Sequence, residues 1–192
     1  MTTESSKIST NLMTEAPLAL ACGVAYFYAF QLNVHWFEWM EFSHGTNWIF
    51  LPSGLRLLFV LVFLRAGAIG IAVASIVVNY SIGNPDAHVF NVVTGIISGA
   101  SPYIAHQLAV TWFGLDQQLA NVSGRMFFKL SLLFAAVNAL THQLWFFWEG
   151  YNQNFLGSTL AMVVGDWTGT VLVLATATFL LKAYLFIRRP KL

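Results

Sequence analysis

The chain has little charge and almost no sulfur chemistry: nine Lys or Arg, eight Asp or Glu and one cysteine in 192 residues. A lone thiol, Cys22, excludes a disulfide framework and a cysteine-built metal knuckle, and leaves a small packing residue. A net charge of +1 gives no concentrated basic face and therefore no nucleic-acid partner. Phosphate-cradling glycine loops, a nucleophile elbow and an HExxH helix are all missing. No catalytic residue, metal site or cofactor is assigned, and an enzyme is not expected. Residues 1–15, MTTESSKISTNLMTE, lack the grammar of a signal peptide and read as a flexible polar tail.

What the chain has in quantity is apolar surface. It is 57% hydrophobic and 9% charged, against about 25% charged for ordinary soluble domains. With 17 Phe and 7 Trp, it carries more apolar area than one small soluble core buries. The composition predicts an all-α integral membrane protein with the lipid bilayer as its first partner. Crossing needs roughly 17–25 helical residues, which places six transmembrane helices near residues 17–35, 48–64, 66–82, 91–113, 127–148 and 160–181. Together they make one membrane domain over residues 16–187, followed by a basic tail at 188–192.

Basic residues test that count independently of hydropathy, because Lys and Arg gather in cytoplasmic loops. Lys7, Arg65, Arg125, Lys129, Lys182, Arg188, Arg189 and Lys191 fall on one side of a six-span plan; loops 36–47, 83–90 and 149–155 contain none. Both termini are therefore expected in the cytoplasm of a bacterial inner-membrane protein. A re-entrant hairpin at the short second and third spans would leave this arrangement unchanged.

The ninth basic residue is Arg56, inside the second span. An intramembrane charge marks a functional-site hypothesis with a partner to be named. Asp166 is the one acidic residue well inside another apolar run, and both lie about 9–15 Å below the outer surface at 1.5 Å per residue. Ser53 lies one turn from Arg56, and Thr159 and Thr170 flank Asp166 at helical spacing. Three readings stay open: a buried pair that fixes helix register, a ligand site, or an arginine that snorkels outward.

Two more spans carry polar stripes. The fifth has Asn138, His142, Trp145 and Glu149, with Gln143 beside them. The fourth has Thr94, Ser98, Ser101, Pro102, His106 and Gln107. Such residues face a bundle interior or wet cavity, and His106 and His142 either relay protons or make interhelical hydrogen bonds. Small residues four apart, Gly157, Ala161, Gly165 and Gly169, mark a close-packing face within the chain or between two copies. Residues 33–44 alternate His35, Glu38 and Glu41 with Trp36, Phe37, Trp39, Met40 and Phe42. This predicts a short periplasmic interfacial helix, with a His/Glu metal site as the alternative.

The stretches LPSGLRLLFVLVF, GAIGIAVASIVVN and VVGDWTGTVLV resemble the bacterial membrane-associated sensor (MASE-type) domains. The matching positions are Phe50, Pro52 and Gly54, then Asn79, then Gly165, Asp166 and Gly169. The resemblance implies a bacterial inner-membrane protein that senses or binds a ligand whose identity it does not define. Members of that family usually have more spans and feed a diguanylate cyclase or a histidine kinase. This sequence shows no such domain up to Leu192, which departs from the family, and the partner expected is a separate signalling or transport protein. In size and span plan the chain is also similar to the substrate-binding components of energy-coupling-factor transporters. A small-solute transporter subunit and a structural partner in a membrane complex are the alternative readings.

Overall fold

The computed structural model describes residues 2–43, 45–116, 119 and 123–188, with side chains placed from residue 13 onward except at 181, 182 and 185. His44, Arg189 and Lys191 lie outside the described residues. Six α-helices are described: α1 (Thr2–Phe37), α2 (Pro52–Phe63), α3 (Arg65–Ile82), α4 (His88–Phe113), α5 (Gly124–Trp148) and α6 (Phe155–Ile187). Between α1 and α2 lie a 3-10 turn, Glu38–Met40, and an antiparallel hairpin of β1 (Glu41–Ser43) and β2 (Thr46–Asn47).

Four of these helices are long and apolar enough to cross a membrane: α1, α3, α5 and α6. The other two depart from the sequence expectation for different reasons. At 26 residues α4 has the length, but its Asn, Thr, Ser, His and Gln side chains dilute its hydropathy. α2 has only 12 residues, about 18 Å of helix, because the apolar run is an irregular bend and turn before Pro52. Proline at the first helical position starts α2 where its fixed φ fits and no N–H is needed. One residue, Leu64 at φ +46°, separates α2 from α3.

Caps account for other boundaries. The Ser123 hydroxyl accepts from the Met126 N–H at 3.3 Å at the start of α5, and Asn154 accepts from Gly157 N–H at 3.0 Å at the start of α6. Gly114, at φ +65°, ends α4 in the left-handed conformation.

Residues 2–15 are helical and continuous with α1; no Gly or Pro interrupts them. One expectation is corrected here: the segment 33–43 is not one amphipathic helix, because α1 ends at Phe37, and Glu41, Phe42 and Ser43 are extended. The alternation of polar and aromatic residues fits a period of two as well as a helical one, and Gly45 at φ +66° supplies the turn that pairs the strands.

Helix α2 is the centre of the bundle. It packs against α1, α3, α4 and α6, while α3, α4, α5 and α6 contact one another in sequence and α1 lies against α3. Leu57 and Leu61 of α2 meet Ala105 and Ala109 of α4 and Leu130 and Phe134 of α5 in one buried cluster. The small-residue face of α6 is used inside the chain. A Cβ on Gly165 would strike the Asn47 carbonyl, and one on Gly169 the Phe50 carbonyl. The glycines therefore let residues 47–51 lie directly on α6. Side chains such as Leu20, Val24, Ile69, Val73, Leu160 and Phe179 are left on the outer surface.

Candidate functional site

Starting α2 at Pro52 puts Ser53, Arg56, Leu57 and Val60 on one buried face, three or four residues apart. Arg56 is only 4% exposed and Asp166 2%. They do not form a direct ion pair, which corrects the simplest expectation for these two charges. Instead Arg56 Nη1 donates to Asn138 Oδ1 at 2.9 Å, and Asn138 Nδ2 donates to Asp166 Oδ2 at 2.6 Å. The amide orientation follows from chemistry, since guanidinium only donates and carboxylate only accepts. One carboxamide thus carries charge-assisted hydrogen bonds to both, each worth about 1.5–3 kcal/mol.

Neighbouring groups hold this bridge in place. Ser53 Oγ donates to the Asp166 carbonyl at 2.6 Å, and Thr170 Oγ1 donates to the same oxygen at 2.7 Å. The guanidinium carbon lies 4.9 Å from the Phe50 ring centre and 5.7 Å from that of Tyr26, within cation–π range. Thr159 bonds back to its own helix at the Phe155 carbonyl and takes no part.

The polar stripes of α4 and α5 bond to each other. His142 Nδ1 lies 3.0 Å from the Asn138 carbonyl and Nε2 lies 3.1 Å from Ser98 Oγ. A carbonyl only accepts, so Nδ1 carries a proton, and in the neutral ring Nε2 accepts from Ser98. Trp145 Nε1 donates to Thr94 Oγ1 at 3.1 Å, and the Ser101 and Thr141 hydroxyls are 3.0 Å apart. His106 is buried, and neither of its ring nitrogens has a hydrogen-bond partner. It stands apart from the Arg56 site, whereas His142 is joined to it through Asn138. Gln143, fully buried, donates to Thr46 Oγ1 at 2.9 Å and ties the hairpin to α5. Asn79 donates to the Asn91 carbonyl at 2.9 Å and so fastens the end of α3 to the start of α4.

A cavity of about 430 Å³ joins these features. Exposed residues Glu38, Glu41 and Gly45 line one end, and Arg56, Asn138 and Asp166 the other. Tyr26, Phe30, Phe50, Phe90 and Phe146 form much of its wall, with Asn79, Ser98 and His142 among the polar lining. Two buried polar atoms of its lining have no partner, Arg56 Nε and Ser75 Oγ.

Of the sequence-stated site residues, the fold gathers Arg56, Asp166, Asn138, Ser53 and Thr170 into one hydrogen-bonded group. His142 and Asn79 line the same cavity, and His106 does not. Sequence reasoning missed the roles of Tyr26, Asn33 and Ser75. Asn33 Oδ1 accepts the Leu51 N–H at 2.9 Å and so supports the irregular approach to α2. Ser75 does carry a signal, as an isolated polar residue in an apolar run. Among the described residues no three His, Cys, Asp or Glu side chains converge to hold a metal ion. No protein-family model, curated protein or solved structure matches the chain.

Proposed function

We propose that this chain is a multi-pass membrane protein that binds a small polar molecule in the cavity above Arg56 and Asp166, as a sensory or ligand-binding module. The observation that carries this reading is the cavity of about 430 Å³ ending on a buried cation and anion from different helices. Its size is at the low end of the roughly 300–1,000 Å³ of small-molecule sites, and its apolar wall with few convergent polar groups is the usual composition of such sites. A purely structural pair does not need a void beside it; a recognition site does.

The bilayer arrangement belongs to the same proposal. Six segments cross a bacterial inner membrane, with the Lys- and Arg-bearing connections inside. The second crossing is α2 together with the irregular residues before it. Irregular backbone at membrane depth is tolerated where its polar groups are satisfied within the protein. Trp48 N–H donates to the Met40 carbonyl and Phe50 N–H to the Gly165 carbonyl, each at 3.1 Å, and Leu51 N–H to Asn33.

Native mass spectrometry of the protein released from lipid nanodiscs tests the binding claim. The expected result is a non-covalent small-molecule adduct on the wild type, lost in Ser75→Phe, which fills the cavity wall, at an unchanged melting temperature. Absence of any adduct from the wild type, after incubation with a metabolite extract, would contradict it.

A further inference from the structure

The chemistry of the closed end narrows the ligand, given the reading that the cavity binds one. One guanidinium and one carboxylate line this end, and their charges cancel. A ligand with net charge would leave an uncompensated charge in a buried site, whereas a dipolar ligand would not. The open end adds a bias against anionic ligands alone. Glu38 and Glu41 line it, and the neighbouring loops 83–90 and 149–155 add Asp86 and Glu149 with no Lys or Arg. Free anions are repelled at such a mouth.

Spacing adds a second constraint. The gap between Arg56 and Asp166 is filled by one carboxamide, whose oxygen and nitrogen are about 2.2 Å apart from standard C=O and C–N lengths. The ammonium nitrogen and nearer carboxylate oxygen of an α-amino acid are about 2.7 Å apart from standard backbone lengths. An α-amino acid head therefore spans the same two charges alongside Asn138. Capacity remains for it: Arg56 uses one of its five N–H donors, Asn138 engages one oxygen of the Asp166 carboxylate, and Ser75 Oγ on the wall has no partner. The rings of Phe50, Phe90 and Phe146 leave an apolar surface for whatever the head group carries.

From this juxtaposition we propose that the cavity takes a zwitterionic α-amino acid with an apolar side chain, its carboxylate on Arg56 and its ammonium on Asp166. The test is isothermal titration of the full chain in nanodiscs with L-phenylalanine, 2-phenylethylamine and 3-phenylpropanoate, repeated for L-leucine with its matching amine and acid. Saturable binding of an amino acid, with both half-molecules at least tenfold weaker, is expected. Arg56→Gln should abolish binding. Ser75→Ala, which removes no hydrogen bond made within the protein, should weaken it severalfold without changing the melting temperature, and so reads the site if Arg56→Gln does not fold. If the acid or the amine binds as tightly as the amino acid, the zwitterion assignment is overturned while the cavity remains a binding site. The same holds if only a compound outside these series gives the mass-spectral adduct. If nothing binds in either measurement, both readings fall.

Discussion

Arg56, Asn138 and Asp166 form a chain of three side chains in which the middle one is neutral and uses both ends of its amide. Removing one charge leaves the other buried without compensation, which costs about 3–5 kcal/mol. Arg56→Ala and Asp166→Ala are each expected to lower thermal stability in detergent by that order, and the double variant to cost clearly less than their sum. Asn138→Leu is expected to destabilise by removing both charge-assisted hydrogen bonds, while the Coulombic coupling between the two charges persists. Additive losses in the double-mutant cycle would contradict the bridge. The sequence made the two charges legible as partners, because an isolated Arg and an isolated Asp in apolar runs each demand one. It left Asn138 only as a member of a polar stripe, because a local pattern gives the face of a helix and not the residue it meets across the bundle.

At the scale of elements, the irregular residues before α2 decide the geometry of the site. They lie against Gly165 and Gly169, where any side chain would push the Asn47 or Phe50 carbonyl away. Gly165→Ala is expected to cost about 1–3 kcal/mol, the usual range for overpacking. Gly124→Ala, at a position with no atom within 4 Å of the added carbon, is expected to be neutral or to stabilise by about 0.4–1 kcal/mol. Thermal unfolding of both variants checks the contrast; equal losses would show that α6 does not hold this segment. Four long helices were legible from apolar length alone. The length of α2 was not, because residues 48–51 are as apolar as the helix they precede and only Pro52 marks the change. The hairpin was hidden for a different reason: Glu41, Phe42 and Ser43 are equally consistent with helix and strand, and the pairing that decides is made with Thr46 and Asn47.

For the whole molecule, Arg65 and Arg125 lie at connections that alternate along the chain with those carrying the acidic residues of the cavity mouth. Arg65 joins α2 to α3, and Arg125 opens α5; Glu38, Glu41, Asp86 and Glu149 occupy the other connections. In a Cys22→Ala background, single cysteines at Asp86 and Glu149 should react with a membrane-impermeant thiol reagent applied to intact cells. Cysteines at Arg65 and Arg125 should react only after permeabilisation; the reverse pattern would invert the proposed topology. The central claim is that two opposite charges meet a shared amide at the closed end of the cavity, and it is tested most directly by solid-state NMR of the labelled protein in lipid bilayers. Through-space correlations from the Asn138 carboxamide to both the Arg56 guanidinium and the Asp166 carboxylate are predicted. A spectrum in which Asn138 contacts neither group, or only one, would contradict it.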